Sequence, residues 1–260
     1  MSFSQNQLRT FSQFSCGKIQ RAKLDLDYFE EPFKHIVIDD FLPLELAEQC
    51  LNNFPELMHE SWEHSNDEDV EVKSRSTWKS EFDIPDGIVD AVRIMNGSQF
   101  LEAVGNKLGI EKLLPDPYFT GGGLNVTKKN GLLDVHVDGN YHDATGLNRR
   151  VNALLYFNKN WEPNWLGEFG LFDETGETCL KKIEPIFNRL VVFDTHDKSF
   201  HGLPDPVNFP DDEPRRSIIL YYYTKENRPS AQVEVSEPHS ALWKKRGFRD
   251  KKGNRTREYR

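Results

Sequence analysis

The chain has 260 residues, 37% of them hydrophobic and 29% charged, and 33 Lys and Arg against 42 Asp and Glu give a formal net charge of −9. Mean hydropathy is −0.67, no apolar run approaches the roughly 20 residues of a membrane span, and residues 1–24 lack the apolar core of a secretory signal, so neither membrane insertion nor export is expected. Three cysteines, Cys16, Cys50 and Cys179, without Cys-x-x-Cys spacing fit neither a disulfide framework nor a cysteine-ligated zinc, and suggest a reducing, cytoplasmic setting.

Residues 1–30 are polar with scattered Phe and read as an arm or peripheral helix. His35-Ile36-Val37-Ile38 is a short strand, and residues 43–54 carry Leu44, Leu46, Ala47, Cys50, Leu51 and Phe54 near helical spacing behind Pro43. Residues 60–71 hold six acids and little to bury, so they read as a loop. Two helices are expected at 86–95 and 98–108, with Asp86 and Ser98 as N-caps. After Pro117 short apolar or alternating runs appear at 119–127, 132–138, 151–158, 168–173, 189–194 and 215–223, separated by Gly, Asn, Asp and Pro. Many short strands between turn signals indicate a sandwich or barrel. The expected architecture is α+β and mainly β. A helical N-terminal support (1–116) and a strand-rich core (117–235) form one domain, followed by a basic tail (236–260). Residues 241–260 carry nine Lys and Arg against two acids, a local +7 that leaves −16 for the rest of the chain. An acidic body argues against nonspecific nucleic-acid binding, and the default for the tail, Trp243 and Phe248 included, is solvated chain.

The chemistry concentrates in the strand-rich part. In Val135-His136-Val137-Asp138-Gly139, strand alternation projects His136 and Asp138 from one face. An imidazole and a carboxylate side by side supply two ligands of a 2-His-1-carboxylate set, which leaves positions open on an Fe(II) ion. A salt-bridged His–Asp pair on a strand is the bland reading of the same residues. His201, after the apolar run Arg189-Leu190-Val191-Val192-Phe193, is the candidate second histidine, and His196 is its rival. In Arg215-Arg216-Ser217-Ile218-Ile219, alternation puts Arg215 and Ser217 on one face and Arg216 on the other. If the first face is interior, a buried guanidinium needs a carboxylate or phosphate, and its planar fork suits a carboxylate held by two bonds. Pairing of both arginines with Asp211, Asp212 and Glu213 is the alternative.

Taken together, residues 121–224 resemble the Fe(II)/2-oxoglutarate dioxygenases, and among them the prolyl 4-hydroxylase-like branch that includes the hypoxia-sensing prolyl hydroxylases. The resemblance is carried by His136-Val137-Asp138, the Ala153–Trp161 stretch, Gly167-Glu168-Phe169, Ile183-Glu184-Pro185, Arg189–Phe193, His201-Gly202 and the Arg215-x-Ser217 strand. It implies a double-stranded β-helix (jelly-roll, cupin-like) barrel with helices packed against it. It also implies His136, Asp138 and His201 as iron ligands and Arg215 as the anchor of the distal 2-oxoglutarate carboxylate. Ser217 lies beside Arg215, and Tyr156 matches a tyrosine that helps hold the cosubstrate. The family's tyrosine on the strand before His-x-Asp is missing. Asn125 is the residue available to replace it by hydrogen bonding, and closing a turn is its other reading. The Gly-Gly that usually follows the tryptophan strand is Gly167-Glu168 here.

The implied reaction splits O2 between 2-oxoglutarate, which becomes succinate and CO2, and an unactivated C–H bond, with ascorbate as accessory reductant. The resemblance favours a prolyl or other amino-acid residue in a peptide or protein as the acceptor. A small metabolite or saccharide-linked precursor is the second reading, and a non-catalytic jelly-roll binding protein the third. Asn140, Tyr141, His142, Trp161 and Trp165 are candidate acceptor-side residues, with core packing as their alternative role, and the acidic 60–71 segment is a candidate cover over the site.

Overall fold

The computed structural model describes residues 3–68 and 70–244. Four helices, α1 (Gln5–Arg21), α2 (Leu44–Asn52), α3 (Val89–Met95) and α4 (Ser98–Leu108), lie in the N-terminal half with strands β1 (Tyr28–Phe29), β2 (His35–Ile38), β3 (Trp62–Asp67) and β4 (Glu71–Ser76). Then follow β5 (Leu114–Pro115), β6 (Gly123–Thr127), β7 (Leu132–Leu133), β8 (His136–Val137), β9 (Asn148–Tyr156), β10 (Phe169–Phe172), β11 (Cys179–Ile183), β12 (Leu190–Asp194), β13 (His201–Gly202), β14 (Arg215–Thr224) and β15 (Leu242–Trp243).

The polar start of the chain is a full helix. Ser4 and Gln7 form a reciprocal capping box, and Leu8, Phe11, Ser15 and Ile19 make one buried stripe. α4 ends at Gly109, whose φ of 73° places it in the left-handed cap position. The acidic segment 60–71, expected as a loop, instead forms β3 and the turn of a hairpin with β4, paired from Trp62↔Ser76 to Asp67↔Glu71. Backbone pairing does not need apolar side chains, and only Trp62 of β3 is buried.

The strands form two sheets. The first runs β1-β2-β12-β9-β14-β6-β4-β3, with β5 added on β14 and β7 on β4; the second runs β11-β10-β13-β8-β15. Both are open at their ends, so the expected double-stranded β-helix barrel is not formed: the fold is a two-sheet α+β arrangement with supporting helices. The run 132–138, expected as one strand, divides between the sheets. Leu132–Leu133 pairs with β4 in the first sheet and His136–Val137 with β13 in the second. The chain crosses at Asp134 and Val135, a corner that joins two sheets without a continuous hydrogen-bonded ladder.

Alternation on the central strands sets two distinct faces. One face, with Leu124, Val126, Val151, Ala153, Leu155, Val192, Ile218, Leu220 and Tyr222, packs with the buried residues of the helices in the main core. The other face, with Leu154, Tyr156, Val191 and Phe193, packs on Phe169, Leu171 and Ile183 of the second sheet. The helices therefore back the first sheet, and the space between the sheets is left for chemistry.

Asn188, just before β12, fastens the two halves. Its side-chain oxygen accepts from Leu42 N–H at 2.9 Å and its amide donates to Leu42 carbonyl oxygen at 2.8 Å, while its own carbonyl accepts from Phe41 N–H. It is 1% exposed, with φ at 61°, a conformation Asn tolerates better than most residues. Asn188→Ala leaves two buried backbone groups unpartnered and is expected to lower the unfolding free energy by about 2–4 kcal/mol. Urea denaturation checks this, with Asn188→Asp, which keeps the acceptor, falling between the two.

Candidate metal centre

Two histidines 65 positions apart become neighbours through strand register. His201 on β13 lies directly opposite His136 on β8, so both rings leave the same face, with centroids 4.4 Å apart. Asp138, two residues beyond His136, projects from that face as well. The His136, Asp138 and His201 side chains are all buried, and their ligand atoms lie within 4.8 Å of one another. Asp138 Oδ1 is 3.7 Å from His136 Nε2, and Asp138 Oδ2 is 3.4 Å from His201 Nε2.

Each ring orientation is fixed from behind. His136 Nδ1 is 2.9 Å from the Asp134 carbonyl oxygen, and His201 Nδ1 is 2.9 Å from that of Ser199. A carbonyl oxygen only accepts, so both Nδ1 atoms carry the proton and both Nε2 lone pairs face Asp138. Such outer hydrogen bonds are what metal-ligating histidines require. Gly202 belongs to this arrangement, because a Cβ there would lie 2.8 Å from the Asp134 carbonyl oxygen. Burial, with His136 alongside, pushes His201 down to about 4, so the ring is neutral near pH 7. Burial alone would raise Asp138, but the charges around it, His201 when protonated and Arg149, hold it well below the usual carboxylate range. Two imidazoles and a carboxylate, with Nε2–O separations slightly above the ~3 Å spanned by adjacent ligands of one ion, fit a divalent metal. Among the described residues this is the one such cluster.

Two inner-face residues of β9 hold the carboxylate. Asn152 Nδ2 donates to Asp138 Oδ2 at 2.5 Å, and Arg149 Nη1 lies 3.7 Å from Oδ1 with its guanidinium 4.0 Å over the Tyr221 ring. Simple alternation from Asn152 would turn Arg150 inward and Arg149 away. The register shift between Tyr222 and Tyr223 pairs Arg149, not Arg150, with Tyr223, and so brings Arg149 to the inner face. Strict period-two reading misses this contact for that reason. Trp243, expected in the solvated tail, packs against His136 with the rings tilted by 35° and centroids 4.4 Å apart. Residues 245–260 of that tail, Phe248 included, lie outside the described residues.

A second group lies further along the same face. Asn125, Ser217 and Tyr156 sit side by side across β6, β14 and β9, and Arg215 follows on β14. Arg215 is 6% exposed. Its Nε donates to the Gly167 carbonyl oxygen at 2.8 Å and its Nη2 to the Tyr156 hydroxyl at 3.2 Å, and no acidic side chain among the described residues pairs with it. Ser217 Oγ is buried without a partner, and Asn125 makes only a 3.4 Å contact to Gly123. Burial raises the Tyr156 hydroxyl against the opposing pull of Arg215. Arg216, on the other face, pairs with Glu213 at 2.8 Å.

The remaining candidates make contacts within the fold. His196 stands apart from the triad, its Nδ1 accepting from Lys198 N–H and its ring against Phe33. His142 is buried on Asp116 at 2.9 Å, while Trp161 and Trp165 pack around Leu203, Val207 and Phe209. Asn140 binds the backbone of residues 237 and 239, and Tyr141 forms an isolated bridge with Asn148.

Residues 122–223 match the family model described as the 2OG-Fe(II) oxygenase superfamily. A prolyl hydroxylase from Trichoplax adhaerens, solved in complex with a hypoxia inducible factor oxygen degradation domain peptide fragment, superposes with a TM-score of 0.58 at 17% identity over 85% of this chain and 94% of that one. A Pseudomonas putida prolyl-4-hydroxylase gives a TM-score of 0.52 at 18% identity over 73% and 91%. At these identities the likeness is one of fold. Among curated protein sequences none is significantly similar, and among the described residues no helix is long and apolar enough to cross a membrane. The 2-His-1-carboxylate centre lies inside the segment that matches the 2OG-Fe(II) oxygenase superfamily model, and the two together support dioxygenase-like catalysis by this chain.

Proposed function

We propose that the protein hydroxylates an unactivated C–H bond of a prolyl or other amino-acid residue in a peptide or protein, using Fe(II), 2-oxoglutarate and O2 and releasing succinate and CO2, with ascorbate as accessory reductant. Iron, when bound, supplies the activation of O2 and the oxidation of the C–H bond. The chain supplies ligands and charge. His136, Asp138 and His201 hold the ion, and Asn152 keeps the carboxylate turned toward it.

The observation that carries the reading is the unmatched charge of Arg215, buried on the face that also bears Asn152 at the triad. A guanidinium taken out of water without a counter-ion costs several kcal/mol. The distal carboxylate of 2-oxoglutarate supplies that counter-ion, each charge-assisted bond contributing about 1.5–3 kcal/mol. Ser217 Oγ, the Tyr156 hydroxyl and the Asn125 amide are the neighbouring groups available to the same carboxylate.

A peptide acceptor is favoured by the border of the centre. Cross-strand register puts Glu71, Lys73 and Arg75 of β4 and their partners Asp67, Ser65 and Glu63 of β3 on the inner face of the sheet. Glu71 and Lys73 are near enough for their charges to act on His136 and His201. A hairpin with side chains of both signs suits an extended chain, with its charged side chains and polar backbone.

In anaerobic calorimetry of the Mn(II)-loaded protein, Arg215→Ala is expected to weaken 2-oxoglutarate binding by about tenfold or more. Arg216→Ala stays within about twofold, because its salt bridge is at the surface; the opposite order refutes the assignment of Arg215. In assays with Fe(II), 2-oxoglutarate and ascorbate, succinate is expected in proportion to a peptide product heavier by one oxygen atom, and His136→Ala abolishes both. Oxygen gain confined to a metabolite pool would replace the peptide reading while leaving the oxygenase chemistry intact.

A further inference from the structure

The C-terminal segment 233–244 crosses the strand that carries His136. β15 pairs with β8 in the register Trp243↔His136 and Leu242↔Val137, and Lys244 N–H donates to the Val135 carbonyl oxygen at 2.8 Å. Because His201 lies opposite His136 on the other side, three rings stand in one row across β13, β8 and β15. The His136 imidazole is flanked by His201 and Trp243, each at a centroid distance of 4.4 Å.

Both ligand-bearing segments also grip this strap. Two residues after Asp138, Asn140 donates to the Glu237 carbonyl oxygen at 3.0 Å and accepts from His239 N–H at 2.9 Å. Four residues before His201, Asp197 Oδ2 accepts from Glu234 and Val235 N–H at 2.8 and 3.0 Å, and its Oδ1 pairs with Arg228 at 2.8 Å. Between Asp138 and Asn140 the strap passes so closely that a Cβ on Gly139 would lie 2.8 Å from the His239 carbonyl oxygen.

β8 has two residues, and its partner β13 also has two. Strands this short hold a ligand only as firmly as their neighbours hold them, since isolated two-stranded pairings are marginal in water. We propose that the strap is a positioning element of the metal centre and that Trp243 is the side chain that sets the His136 ring for metal binding. This rests on the triad being the metal site. Trp243 touches the ligand and not the ion, so it acts through His136, as outer groups around metal ligands do.

The test uses the full chain and Mn(II) alone, titrated by calorimetry and by loss of the free-ion electron paramagnetic resonance signal. Trp243→Ala is expected to weaken Mn(II) binding about tenfold or more, with far-ultraviolet circular dichroism and melting temperature close to wild type. Trp243→Phe, which keeps an aromatic face, restores affinity to within about threefold on the same scale. Gly139→Ala, which pushes the strap away, reproduces the loss. A folded Trp243→Ala protein that binds Mn(II) as wild type does overturns the proposal. Should that variant fail to fold, tryptophan emission decides: quenching on Mn(II) addition must be strong in wild type and much reduced in Trp243→Phe, and equal quenching in both overturns it. His136→Ala separates the two layers, because Mn(II) binding that survives this change refutes the metal site itself.

Discussion

The site depends on one cross-strand pair. His201 opposite His136 converts a 65-residue separation into adjacent rings, and it does so with two strands of two residues each. Cross-strand pairs contribute only about 0.2–1 kcal/mol, so this register is held by its surroundings. Phe169 and Phe193 lie against the His201 ring, the Asp134 and Ser199 carbonyl groups fix both imidazoles, and the second sheet continues on either side through β10 and β15. Loss of any one of these supports weakens the others, because the ladder is too short to keep register alone.

The first sheet divides its labour by face. Its outward-facing positions are buried by the helices, which makes β6, β9, β12 and β14 a rigid floor. The inner positions carry Asn152, Tyr156, Ser217 and Arg215, spaced by the pleat along two adjacent strands. From Asn152, at the triad, to Tyr156, beside Arg215, is four residues, or about 13 Å of extended strand. Leu154 lies between them and packs toward the second sheet. A charged group at one end, a metal-ligating group at the other and apolar side chains between are what an elongated dicarboxylate needs to bind in one orientation.

Much of this was legible in the sequence, since period-two alternation is local. The His136–Asp138 spacing and the parity of Arg215 against Arg216 both follow from it: β14 is regular at the arginines, and Asp138, just past the end of β8, stays on the face of His136. The failures share one cause, contacts that only the three-dimensional path creates. Six acids made residues 60–71 look like a loop, although a hairpin needs backbone pairing and little burial. The register shift between Tyr222 and Tyr223 brought Arg149 inward against strict alternation. Alternation also cannot say whether two sheets share hydrogen-bonded edges, so the barrel was over-read from strands that form two open sheets. Trp243 was hidden by its basic neighbours, since charge composition averages over a residue that packs alone.

The centre is asymmetric in polarity, and that asymmetry bears on approach. Trp243, Phe169 and Phe193 surround the two imidazoles with apolar rings. These rings exclude water and lower the local dielectric, which strengthens the hold of the ligand set on a divalent ion. On another side stand Glu71 and Lys73, 2.8 Å apart and each partly exposed. Water reaches that ion pair, so its net effect on stability is small, and opening it costs far less than displacing a buried ring. Entry past Trp243 would instead break the β15 ladder and release His136. Of the two borders of the centre, the hairpin side, with its partly exposed ion pair, therefore yields more easily than the strap side, where a strand ladder has to break.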